Sequence, residues 1–197
     1  MYELIQLAIG SYGNGYKKIS DIDMHIQAMN NLLDRGIITN MYGLTEQEIL
    51  SIVMLEGFEY RLIQDAAFNN APTTPFTSKL IKLLDSAINK APKTSHQVLY
   101  RQDSYYSGVP KEGETIQIAG FWTTSVEDFD NTNDKKWIIK PLPPEETKAH
   151  DIYKIYNHGA EHGNGELQVE YERNTTFKIE KIVQHHRYLE ICVSESH

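Results

Sequence analysis

Residues 163–179 read GNGELQVEYERNTTFKI, and the reading of this stretch decides the fold. Leu167, Val169 and Tyr171 alternate with Glu166, Gln168, Glu170 and Glu172. A two-residue period is that of a strand with one apolar and one polar face. The polar face is unusual, because it carries three carboxylates broken only by the amide of Gln168. Further short β-branched or aromatic runs surround it from His96 onward: QVLYR, ETIQIAGFW, KWIIKPL, TFKIEKIVQ and RYLEICVSE, separated by turn residues.

Upstream the texture is helical. SDIDMHIQAMNNLLDRG begins on the capping residues Ser20 and Asp21, places Ile22, Ile26, Met29 and Leu33 on one face and stops at Gly36. LTEQEILSIVMLEGFEYRLIQDAAFNN opens with the capping box Thr45-x-x-Glu48 and reads as one helix with Gly57 inside. TTPFTSKLIKLLDSAINKAP predicts a further helix burying Leu80, Leu83, Leu84 and Ile88, closed by Pro92. Helices first and strands after predict an α+β fold, with a helical part over 1–92 and a β-rich part over 93–197 forming one domain.

The chain of 197 residues is 40% apolar, enough to fill a core, and carries a formal charge of -8. That charge argues against a general nucleic-acid surface. No apolar run reaches the roughly 18 residues of a membrane span. The N-terminus lacks the basic region of a signal peptide. The single cysteine, Cys192, sits in an alternating run and reads as packing in a reducing compartment. GSYGNG at 10–15 has no preceding strand and no following Lys-Ser/Thr, so it is not a phosphate loop. His158 and His162 have helical metal-ligand spacing, but Gly159, Gly163 and Gly165 disfavour a helix there, and no metal site is expected. His185-His186 reads as a turn or surface pair.

Three segments in the β-rich part carry chemistry in order. VLYRQ places Arg101 after Tyr100 at a strand end. EGETIQIAGFWTTSVED runs a strand into Thr123-Thr124-Ser125. The acidic strand comes last. Singly, each has an ordinary reading as solvated charge or turn material. Together, the order aromatic-Arg, Phe-x-Thr-Thr-Ser and Glu-rich strand followed by Phe177-Lys178-Ile179 resembles the mono-ADP-ribosyltransferases of the Arg, Ser-Thr-Ser and Glu-x-Glu type. The likeness covers at least Leu83 to Ile179, with Thr123 where Ser is usual.

The resemblance implies a mixed or antiparallel β-sandwich core of ADP-ribosyltransferase type, with the helical part packed on it, and NAD as co-substrate. It implies transfer of ADP-ribose to a macromolecular acceptor, protein arginine in preference to nucleic acid, by a toxin or effector acting in a cytoplasm. Delivery into a target cell would then need no N-terminal signal peptide, and a cognate immunity or inhibitor protein would be a partner. Arg101 would hold NAD phosphates through its bidentate fork. The backbone at Gln102 would meet the nicotinamide carboxamide, and Thr123 would fix the catalytic strand residue or the ribose. Thr124 and Ser125 would support the site, and Phe129 would cover the nicotinamide ring. Anchored on Phe177, the register puts the Glu-x-Glu pair on Glu166 and Gln168, with Glu166 serving the acceptor. An amide then occupies the catalytic position, which implies a chain that binds NAD but turns over poorly, by engineering or as a natural pseudoenzyme. The rival register puts the pair on Glu170 and Glu172, and the alternative function is a catalytically dead module binding NAD or a protein.

Overall fold

The computed structural model describes residues 3–12, 27, 30–31, 42–57, 59–68, 73–102, 108–129, 133–157 and 165–197. Two compact units divide the chain, Met1–Ala91 and Pro92–His197.

The first unit holds helices α1 (Glu3–Tyr12), α2 (Glu46–Leu55), α3 (Tyr60–Phe68) and α4 (Pro75–Lys90). The capping box forms as the sequence predicts: Thr45 Oγ1 accepts from Glu48 N at 3.3 Å, and Glu48 Oε2 accepts from Thr45 N at 2.6 Å. The long helix expected from Thr45 onward is instead two, because α2 ends at Leu55 and a turn at Glu56-Gly57 precedes α3. Glycine's backbone freedom makes it a poor interior helix residue, and here it marks the break. Thr74 caps α4 with Pro75 in its first turn, and the helix buries Phe76, Leu80, Ile81, Leu84, Ala87 and Ile88. Leu83, expected in the core, is only half-buried at the edge of that stripe. The helix predicted over residues 20–36 falls almost wholly outside the described residues.

Among the described residues of the second unit, eight strands form one sheet in the order β2-β7-β8-β4-β1-β3-β6-β5. They are β1 (Leu99–Gln102), β2 (Thr115–Ile118), β3 (Trp122–Ser125), β4 (Lys135–Lys140), β5 (Ala149–His150), β6 (Gln168–Tyr171), β7 (Thr175–Gln184) and β8 (Leu189–Ser196). Only the β4–β8 pair is parallel, so the sheet is mixed. Trp122 on β3 meets Phe177 on β7 edge-on, ring centroids 4.5 Å apart, although four pairings separate these strands. A flat sheet would hold them about 19 Å apart at ~4.8 Å per strand. The sheet therefore folds over on itself, and Trp122, Trp137, Tyr171 and Phe177 fill the space between its two halves. Asn174, at φ 62° in the turn joining β6 to β7, takes the left-handed conformation that asparagine tolerates.

Candidate active site

Strand alternation sorts the Thr123-Thr124-Ser125 segment. Thr124 pairs with Val169 and turns inward, its Oγ1 donating to the Val169 carbonyl at 2.8 Å. Thr123 pairs with Glu170, and Ser125 with Gln168. These four side chains occupy the opposite face from Trp122, Val169 and Tyr171.

Thr123 Oγ1 donates to Glu170 Oε2 at 2.8 Å, and Gln168 Nε2 lies 3.4 Å from the same oxygen. Glu170 is wholly buried, and its other oxygen, Oε1, is buried without a hydrogen-bond partner in the structure. Burial pushes this carboxyl up to about 8, against the hydrogen bond from Thr123, the positive charge of Arg101 and the hydrogen bond from Gln168. The negative charge of Glu166 adds to the rise. Burial of this kind disfavours the charged form of a carboxyl.

Arg101 is nearly buried, and its Nη1 donates to the Thr123 carbonyl at 2.5 Å. One arm of the guanidinium therefore fixes β3 while its charge acts on both Glu170 and Glu166. Gln102 donates through Nε2 to the Phe129 carbonyl at 2.9 Å, tying the segment after β3 to β1 and leaving the Phe129 side chain half-exposed. Glu166 is not on β6, which begins at Gln168; it precedes the strand, exposed, with its carboxyl toward Ser125. Partial burial there raises its pKa, opposed by the Ser125 hydrogen bond and Arg101. The rival pair separates as well, because Glu172 lies beyond the strand and bonds to His150 and Lys93 instead.

The structure thus gathers Arg101, Thr123, Ser125, Glu166 and Gln168 around a carboxylate, Glu170, that the sequence register passes over. The residue Thr123 fixes is Glu170, not Gln168. The signal lay in the flanks, since Glu170 stands between Val169 and Tyr171, both wholly buried like Glu170 itself. His158 and His162 lie outside the described residues, as does 13–15 of the glycine-rich segment, whose first residues close α1.

No protein-family model matches the sequence, and no curated protein aligns with it significantly. Solved structures do match in fold. The type III effector XopAI from Xanthomonas axonopodis pv. citri superposes with a TM-score of 0.77 and 15% identity, over 98% of this chain and 81% of that one. The ADP-ribosyltransferase Vis, a toxin from Vibrio splendidus, matches with a TM-score of 0.62 and 17% identity, over 89% and 85%. The chain has the ADP-ribosyltransferase fold. Exoenzyme S from Pseudomonas aeruginosa, solved with human 14-3-3 protein beta and carba-NAD, shares this fold with a TM-score of 0.61 and 12% identity, over 88% and 89%. Vis has also been solved with agmatine. Among the described residues, no helix of this ADP-ribosyltransferase fold is long and apolar enough to cross a membrane.

Proposed function

We propose that the chain is an NAD-dependent mono-ADP-ribosyltransferase of the toxin and effector kind, with Glu170 as its catalytic carboxylate. One observation carries this reading. A fully buried carboxylate is held at one oxygen by Thr123 and has its other oxygen unpartnered, within reach of the Arg101 charge. An acceptor oxygen buried without a donor is costly unless a ligand satisfies it. A ribose hydroxyl is a donor that fits it.

When bound, NAD supplies ADP-ribose by cleavage of its bond to nicotinamide, with positive charge building at the ribose. Glu170, ionised, opposes that charge and accepts from the ribose. Thr123 holds the carboxylate in place, and Arg101 keeps β3 fixed and brings the positive charge that would attract the NAD phosphates. Phe129, half-exposed and tied through its carbonyl to Gln102, would cover the nicotinamide ring. On this reading the catalytic position moves from 168 to 170. Gln168 becomes the residue next to it, and the chain is competent as it stands.

The acceptor belongs on the solvent side. Glu166 and Glu127, both outside the buried cluster, offer carboxylates to a guanidinium, which favours a protein arginine and accords with agmatine bound by Vis. The amide of Gln168 instead suits an amide acceptor, because it can donate and accept at once. Release of nicotinamide from NAD tests the reaction. Glu170→Gln should lower it by about 10² or more, the effect of losing a preorganised electrostatic partner. Gln168→Glu should change it by less than tenfold. The reverse pattern returns the catalytic position to 168. Stimulation of release by agmatine supports arginine, and stimulation by asparagine-containing peptides alone supports the amide.

A further inference from the structure

On the far side of Glu170 from Thr123 lies a charged cluster that the reaction as derived does not use. His150 is Glu170's direct partner across the β5–β6 ladder, and it is wholly buried. Directly opposed antiparallel residues share a face with Cβ atoms about 5 Å apart. Glu172, two residues beyond Glu170, accepts from His150 Nε2 at 2.8 Å and from Lys93 Nζ at 3.0 Å, while Nζ and Nε2 are 3.1 Å apart. Lys93 is itself bridged to His150 through the backbone. One face of the sheet therefore runs from Thr123 through Glu170 to His150, with the Lys93–Glu172 ion pair at its end.

We propose that Lys93, His150 and Glu172 form a charged brace that positions Glu170 and sets the pH at which its carboxyl ionises. His150, Glu172 and Lys93 are positioning residues, because none of them meets the proposed reacting atoms. The inference rests on Glu170 being the carboxylate of the proposed function. Glu172 stands about 7 Å along the chain from Glu170 at ~3.3 Å per strand residue, and Lys93 is bonded to it at 3.0 Å, so the balance of the pair is close enough to be felt. The other charged or titratable groups facing Glu170 are Arg101 from β1 and Glu166 from the segment before β6, with neutral Thr123 and Gln168 completing its surroundings.

Two nearly isosteric variants at partly exposed positions test it. Lys93→Met leaves the Glu172 charge unbalanced, so it should raise the ionisation midpoint of Glu170 by about half a pH unit or more. Glu172→Gln leaves the Lys93 charge unbalanced and should lower the midpoint by a similar amount. The double variant should return close to the parent, as coupled charges do in a mutant cycle. The midpoint is read in the full chain from the carboxyl carbon resonance of Glu170, assigned by its absence in Glu170→Gln. This reading needs no turnover, so a failed NAD assay would count against the proposed function and not the brace. Opposite shifts with a near-parental double variant support the proposal. Shifts of the same sign, or none, overturn it, because a purely structural loss has no reason to follow the sign of the deleted charge.

Discussion

At the residue scale the site turns on one proton. Glu170 holds a proton up to about pH 8, and the proposed chemistry needs it ionised. The pH dependence of kcat/KM reports ionisations of the free enzyme. NAD cleavage should therefore climb as pH rises through about 8 and level off above it. Thr123→Val removes the donor that most favours the ionised form, and Arg101→Ala removes the main positive charge. Both should move the midpoint to higher pH, and a stopped assay across pH 6–10 reads the shift. An unchanged midpoint in Thr123→Val would detach Thr123 from the carboxyl. Of the proposed site, Arg101 and Thr123 were legible in the sequence because their residue types and order mark them out. Glu170 was not, because four residues of one parity look alike until a partner strand selects one. Pairing with β3 makes that selection by matching Glu170 to Thr123.

At the scale of elements, local pattern located most helices and strands but not those created by contact. The two-residue β5 exists because Ala149 and His150 pair with β6, and nothing in AHD announces it. The break between α2 and α3 was visible as Gly57 yet read as tolerated. The segment leading into β5 is held in a way the sequence also hides. Glu195 on β8, nearly buried, accepts from Leu142 N at 3.0 Å, Thr147 Oγ1 at 2.6 Å and Lys148 N at 2.7 Å. Glu195→Ala strands three donors, two of them backbone amides, and should destabilise by about 3 kcal/mol. Urea unfolding followed by tryptophan fluorescence measures this, and a change under about 1 kcal/mol would show that water replaces the carboxylate without penalty.

At the scale of the whole molecule, the strand order is the least legible feature, since pairing β7 with both β2 and β8 lies in no local pattern. The fold persists at 15% identity with its structural neighbour because it rests on alternation and burial rather than on particular residues. That separation of fold from site makes a trade-off between stability and activity testable. Glu170's folded pKa lies above its ordinary value of 4.5, so its contribution to stability is fully present below about pH 4.5 and is lost as pH rises to about 8. Glu172 is the opposite case: the His150 hydrogen bond, with further help from Lys93, holds it at about 2 against burial, so its contribution is lost as pH falls from about 4.5 through 2. The second unit should thus be most stable near pH 4.5–5, well below the pH at which NAD cleavage is fastest. Both tryptophans, Trp122 and Trp137, belong to this unit and report it alone. In the first unit, burial tends to raise Glu48, but hydrogen bonds from Lys90, Ser86 and Thr45 outweigh it and hold Glu48 at about 2, which gives only the acid-side loss. The fluorescence melting temperature should fall by roughly 6 °C per pH unit between pH 5 and 8, for one proton at about 1.4 kcal/mol per pH unit. Helix-weighted circular dichroism should stay flatter over the same range. Glu170→Gln should remove most of the fluorescence slope, the raised Glu166 leaving a remainder, while lowering cleavage by about 10² or more, and a slope that survives this substitution undiminished would place the titrating group elsewhere in the unit.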